Sequence, residues 1–286
     1  MVDVKELKSI ELSSFTTMAT GIAVLFSIIA AILLSIIIGA SVPNGVGIII
    51  YLIPTIIIGA LMYSIYNNFF QGFLYNVLAK KLKTIAIAIE DGNEIAKIST
   101  SETATMVSLI VTIQFVLLYL VSLFILPLTL SSMIQTLMYT GQSALAYGIY
   151  QFLNLISQPT TILIMIFGVF IITFVFVLIA TYIFNIMAKS GRGIVLNLSE
   201  ENGFTAIDSI DPLKLGIMFA VITGILSLIT AIISLVSGGN LPSLIGSVIG
   251  GFVSGFIEFY LMGVFYNFLA PKLGKIKIEL IDYVIN

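Results

Sequence analysis

The chain has 286 residues, of which 59% are hydrophobic and 9% charged, where an ordinary soluble domain carries about 25% charged residues. That composition excludes a soluble globular domain and a disordered segment. Cys, His and Trp are absent, which excludes disulfides, Cys/His metal sites, a Cys nucleophile and a Ser-His-Asp triad; the net charge of −2 argues against a nucleic-acid partner.

Charged residues fall into four clusters separated by three long apolar gaps. Residues 12–79 carry no charge, residues 103–188 carry none, and residues 215–271 carry only Glu258. A helix needs roughly 20 apolar residues to cross the hydrocarbon core of a membrane, so each gap accommodates two crossings and a turn. In chain order the expected spans are 15–40, 46–75, 104–129, 160–186, 213–237 and 243–268. Pro43-Asn44-Gly45 breaks the first gap, and Gly238-Gly239-Asn240 with Pro242 breaks the third. In the second gap, residues 131–158 read as an uncharged amphipathic helix, with Tyr139, Tyr147, Tyr150 and Phe152 suited to a membrane interface. The first span is too long for a signal-peptide core, and its preceding flank is mixed in charge.

All 12 Lys and Arg fall in the four clusters. With an even number of spans in each gap, the clusters share one side, and the positive-inside rule makes that side the cytoplasm. The expected location is therefore the cell membrane, multi-pass, with both termini cytoplasmic and lipid as the immediate partner.

Self-comparison finds a threefold repeat. The second span of each pair ends alike: Gly72-Phe-Leu-Tyr-Asn-Val-Leu-Ala-Lys80, Thr181-Tyr-Ile-Phe-Asn-Ile-Met-Ala-Lys189 and Gly263-Val-Phe-Tyr-Asn-Phe-Leu-Ala-Pro271. Nine residues beyond Asn76, Asn185 and Asn267, alternating branched segments begin at Ile85, Ile194 and Ile276, which is a strand signal. Ile10, Ile98 and Ile210 precede Met18, Met106 and Met218 by eight residues where the first span of each pair begins. Asp91-Gly92-Asn93 and Glu201-Asn202-Gly203 are hairpin turn signals. The expected repeat is strand, span, span, strand, in residues 1–90, 91–199 (with 131–158 as an insertion outside the cytoplasm) and 200–286. The expected fold is a membrane α-helical pseudo-threefold bundle of six transmembrane helices under a small cytoplasmic six-stranded β cap or barrel, closed by the strands near 4–10 and 276–284.

The repeat resembles a short two-span bacterial transmembrane family of unknown function, best known in actinobacteria. The resemblance rests on Asp211-Pro212-Leu213-Lys214, on Tyr266-Asn267 and on Gly274-Lys-Ile-Lys-Ile-Glu-Leu280. The third repeat matches best. The first lacks the Pro and the Gly step, and the second has Phe184 in place of Tyr. The resemblance implies that two-span relatives assemble as trimers, as this chain does within itself, and it implies no activity.

Candidate site residues follow. Glu258 lies 14 residues before Lys272, roughly 21 Å along a helix, near the middle of a span. A charge there costs at least about 2.5–3.5 kcal/mol, so a protonated or cation-bound carboxyl is expected. The repeat alignment sets Asn67 and Phe176 opposite it, with Asn68 and Gln71 close by. One reading is an ion, proton or polar-ligand site; the plainer one is a carboxyl hydrogen-bonded to amides as packing glue. Asn76, Asn185 and Asn267 read either as a ring of amides at a pore mouth or as ties from the helix end to the following strand. Ser243, Ser247, Gly251 and Gly255 form a small-residue packing stripe. No motif for a catalytic, cofactor or metal site is present. The expected function is a non-catalytic membrane scaffold, anchor or accessory subunit that meets other subunits of a complex through its cap. The alternative is a small ion channel or transporter around Glu258.

Overall fold

The computed structural model describes residues 2–42 and 45–283; Pro43 and Asn44 of the expected first turn, and residue 284 of the expected last strand, lie outside them. In chain order the elements are β1 (Val2–Ile10), α1 (Leu12–Ser41), α2 (Val46–Leu78), β2 (Ile85–Glu90), β3 (Glu94–Ile98), α3 (Thr100–Tyr139), α4 (Ser143–Ile156), α5 (Pro159–Met187), β4 (Ile194–Glu201), β5 (Phe204–Ile210), α6 (Pro212–Val236), α7 (Leu241–Leu273) and β6 (Lys277–Asp282). A π-helical turn, Ala188–Arg192, links α5 to β4. Six helices among the described residues, all but α4, are long and apolar enough to cross a membrane.

The expected helix over 131–158 is corrected. Nothing after Pro127 interrupts α3 until Gly141, whose φ of 77° turns the chain. Residues up to Tyr139 therefore complete α3, and only Ser143–Ile156 forms the separate helix.

The six strands close into an antiparallel barrel in the order β1-β2-β3-β4-β5-β6. Closure leaves no strand edge unpaired. The β4–β5 hairpin turns on Asn202 and Gly203, at φ 53° and 80°; in the β2–β3 turn Asp91 and Gly92 take 50° and 79°. Left-handed φ values at two successive positions twist the chain as a hairpin requires, and Asn, Asp and Gly tolerate them best. β6 returns from the far end of the sequence to pair with β1, Lys5 opposite Asp282 and Ile10 opposite Ile278. Two seams are short: β3–β4 pairs only at Glu94–Val195 and Ile95–Ile194, and β5–β6 only at Thr205–Ile278 and Ala206–Lys277.

The chain divides into two compact bodies, Met1–Thr103 with Leu178–Asn286, and Ala104–Val177. The first holds the barrel, α1, α2, α6, α7 and the barrel-proximal ends of α3 and α5. Glu11 and Asp211 cap α1 and α6, their carboxylates accepting the N–H groups of Ser13 and Ser14, and of Leu213 and Lys214. α6 and α7 pack through small residues: Gly224 lies beneath the Phe252 ring, and Thr223 Oγ1 donates to the Gly251 carbonyl across the pair at 2.8 Å. Phe219 and Phe259 stack with centroids 3.7 Å apart. α1 packs along α2 on one side and meets α7 on the other, where Met18 and Ile22 bury against Tyr266, Leu269 and Ala270. In the second body, the Tyr119 hydroxyl donates to the Ile156 carbonyl, tying α3 to the end of α4.

Gly72 and Gly263 occupy matching positions, yet their surroundings differ. A Cβ on Gly263 would lie 2.9 Å from the Pro212 Cα, which is backbone; one on Gly72 would meet the side-chain tips of Leu12 and Phe15 at 3.0 and 3.3 Å. Gly263→Ala is therefore expected to destabilise the protein by about 1–3 kcal/mol, and Gly72→Ala by clearly less, in unfolding titrations in mixed micelles. The opposite order would contradict this packing.

Candidate functional site

Asn76, Asn185 and Asn267 each make the same pair of hydrogen bonds, to the last residues of β1, β3 and β5 respectively. Asn76 accepts the Ile10 N–H and donates to the Ile10 carbonyl, both at 2.8 Å. Asn185 does the same with Ile98, both at 2.8 Å, and Asn267 with Ile210 at 2.9 and 2.8 Å. The amide thus takes the place of a second strand neighbour: Ile10, Ile98 and Ile210 still face Ile278, Ile87 and Leu196 on one side, while the ladder on their other side has ended. The tie runs to the strand before the helix pair, not to the strand that follows it, because the following strand already spends its backbone on the barrel ladder. Asn185 also donates to Thr100 Oγ1 at 3.1 Å.

The residue before the asparagine completes the joint. The hydroxyls of Tyr75 and Tyr266 donate to the carbonyls of Leu7 and Ile207, each at 2.5 Å, and Tyr266 also accepts the Ile276 N–H at 3.2 Å. One phenol therefore holds β5 and β6 together at a short seam. Phe184 stands in the equivalent place and is buried in an apolar cluster with Met187, Met218 and Ile222. The Tyr-Asn pair was visible in the sequence, but its partners are backbone atoms that no residue pattern marks.

Ion pairs reinforce the same short seams. At β3–β4, Glu94 accepts the Gly193 N–H at 2.7 Å and pairs with Lys214 at 3.2 Å. At β5–β6, Lys275 bridges Glu201 and Asp208, both at 2.6 Å, and Lys277 meets Glu201 at 3.1 Å. Where β6 meets β1, Lys5 pairs with Asp282 and Lys8 with Glu279. Hydrogen bonds from Lys275 hold the Glu201 and Asp208 carboxyls below their ordinary range, and the same bonds raise the Lys275 ammonium.

The polar residues predicted inside the helices are not gathered into one cluster by hydrogen bonds. Glu258 is exposed on α7 and has no hydrogen-bond or ion-pair partner among the described residues. Asn67, Asn68 and Gln71 are half-buried on α2, and Asn68 donates to Thr20 Oγ1 on α1 at 3.5 Å. α1 packs against both α2 and α7 in this body. Of the small-residue stripe, Gly251 and Gly255 contact α6, whereas Ser243 and Ser247 are exposed. Every Lys and Arg, and every acid other than Glu258, lies on a strand, in a hairpin turn, in a strand–helix link or in the helix turn beside one.

Three clefts open at the junctions between barrel and helices. One, of about 640 Å³, contains Glu11, Glu201, Lys275 and Lys277. A second, of about 410 Å³, contains Glu6, Lys83 and Glu102. The third, of about 710 Å³, contains Glu90, Lys97, Tyr182, Ile186 and Lys189. Among the described residues no group of three or more His, Cys, Asp or Glu side chains converges as metal ligands would. No protein-family model, curated protein or solved structure matches the chain.

Two predictions test the joint. Asn267→Ala leaves the N–H and carbonyl of Ile210 without their partner and is expected to destabilise the protein by about 1–3 kcal/mol, with faster amide exchange at Ile210. The carboxyls of Glu201 and Asp208 are depressed in the folded state, so their contribution is present above the ordinary carboxyl values of 4.5 and 3.8 and is lost as pH falls through the lower folded values. Amide protection factors in β6, corrected for the intrinsic rate at each pH, should therefore fall on acidification below about pH 4, and Lys275→Met should flatten that dependence.

Proposed function

We propose that the chain is a six-span membrane protein whose three strand–helix–helix–strand repeats are arranged about a pseudo-threefold axis. In this reading the barrel and both termini are cytoplasmic, and the protein serves as a non-catalytic scaffold, anchor or accessory subunit of a membrane complex. Six long apolar helices support the membrane reading, as does the confinement of every Lys and Arg to the barrel and its links. The resemblance to two-span bacterial proteins fits the same reading, with three linked copies doing what a trimer of separate chains would do.

The observation that carries the scaffold role is the way the barrel is fixed. Three asparagine amides and two tyrosine hydroxyls lock strands to helix ends. A small closed barrel held in this way offers a partner a surface of fixed geometry on one side of the membrane. Its outer rim carries exposed Asp3 and Glu200.

The test is purification from native membranes in mild detergent, followed by mass spectrometry of what remains bound. A protein partner in fixed ratio is expected. Asp3→Lys combined with Glu200→Lys should release it, while Glu258→Gln should leave it bound. Loss of the partner in Glu258→Gln alone, or no partner in any preparation, would overturn the scaffold reading.

One observation favours a second reading, a small channel or transporter. Glu258 is the single charged side chain deep within an apolar helix, and it has no partner among the described residues. Intramembrane acids of this kind often mark ion or proton paths. Cation or proton flux into liposomes that is abolished by Glu258→Gln would establish it. Folded protein with no flux above empty liposomes would remove it.

A further inference from the structure

The three junction clefts differ in charge, and the difference singles out one of them. In the cleft with Glu11 and Glu201, two lysines face two acids, and both lysines are paired with Glu201. In the cleft with Glu6 and Glu102, one lysine faces two acids. In the third, Lys97 and Lys189 face the single acid Glu90, and neither lysine has an ion-pair partner among the described residues. Only this cleft has a surplus of cation.

Its walls are also of two kinds. Tyr182, Ile186 and Lys189 follow one another at helical spacings of four and three residues, so they share a face that runs from α5 into the π-helical turn. Tyr182 is 61% exposed and Ile186 55% exposed, so the apolar end of this face is open. Lys97, on β3, closes the cationic end. The matching positions in the other repeats are Ser9 and Ser209 for Lys97, and Lys80 and Pro271 for Lys189. No other repeat has both cations.

We infer that this cleft binds the headgroup of an anionic phospholipid. The phosphate lies between the Lys97 and Lys189 ammonium groups, the Tyr182 hydroxyl donates to an oxygen of the glycerol–phosphate region, and an acyl chain follows Ile186 along α5. The charge complementarity is local, because the other two clefts are neutral or acidic. A free phosphate metabolite satisfies the lysines but not the exposed apolar face above them, which is why a lipid is the occupant. The inference rests on the membrane reading above; membrane fractionation of each variant tests that reading separately.

The test is native mass spectrometry of the full chain in detergent, titrated with phosphatidylglycerol and with phosphatidylcholine of the same acyl chains. Wild type is expected to retain one phosphatidylglycerol in preference to phosphatidylcholine. Each lysine beside an anionic headgroup is worth about a few-fold to tenfold in affinity, so Lys97→Gln with Lys189→Gln should reduce phosphatidylglycerol retention at least about tenfold. Lys97→Arg with Lys189→Arg should keep it, which separates binding from folding. Lys80→Gln with Lys81→Gln removes equal charge outside the cleft and should leave retention unchanged. Equal retention of the two lipids by wild type would overturn the inference. So would an equal loss in the Lys80/Lys81 variant, or displacement of the lipid by millimolar inorganic phosphate.

Discussion

A strand that turns directly into a long apolar helix has a backbone problem at the handover. Its last residue keeps a strand neighbour on one side but has lost the one on the other, and the helix cannot yet use the groups left over. Asn76, Asn185 and Asn267 solve this by offering Ile10, Ile98 and Ile210 an amide that donates and accepts in the geometry of a neighbouring strand. Because each amide comes from the end of the other helix in the pair, one side chain ties three pieces together: the strand, the helix that follows it and the helix that returns. The barrel would otherwise hang on short links. With these ties, its strand ends are fixed to the helix ends that feed them.

The charges make a second layer of the same construction. β3–β4 and β5–β6 are the shortest ladders, and they are where Glu94–Lys214 and the Lys275–Glu201–Asp208 network lie. Isolated surface pairs contribute little, about 0–1 kcal/mol. A network that shares one lysine between two carboxylates, beside a tyrosine that bonds both strands, contributes more to register than any single pair. Lys97 and Lys189, neither of them ion-paired among the described residues, line a separate cleft with the single acid Glu90.

Much of the fold was legible because it depends on local residue patterns. The hairpins follow from Asp91-Gly92 and Asn202-Gly203, whose positive φ values few other residues tolerate. The strand starts follow from the fixed step after each asparagine, and β6 begins within one residue of the expected place. The extent of α3 was not legible, since no residue between the expected end of the span near 129 and Gly141 marks where the helix stops. The asparagines were legible as anchors, but not their partners: the choice between the strand before and the strand after depends on which backbone groups the closed ladder leaves over. Glu258 was legible as an isolated charge in an apolar run. Its exposure on α7 was not, because that depends on how the helix rotates when Gly251 and Gly255 seat against α6.

The sequence by itself determined the number of long apolar helices, the segregation of charge and the order of strands and turns. Each of these is set by composition or by residues within a few positions of one another. Only the tertiary structure decided which peptide each asparagine completes, which seams the ion pairs reinforce and which two lysines share a cleft with a single acid. Those outcomes depend on groups 57 to 120 residues apart in the chain, such as Ile210 with Asn267 and Glu94 with Lys214. Residue pattern does not encode such distances; the closing of the barrel does, by bringing strand ends, helix ends and charges together.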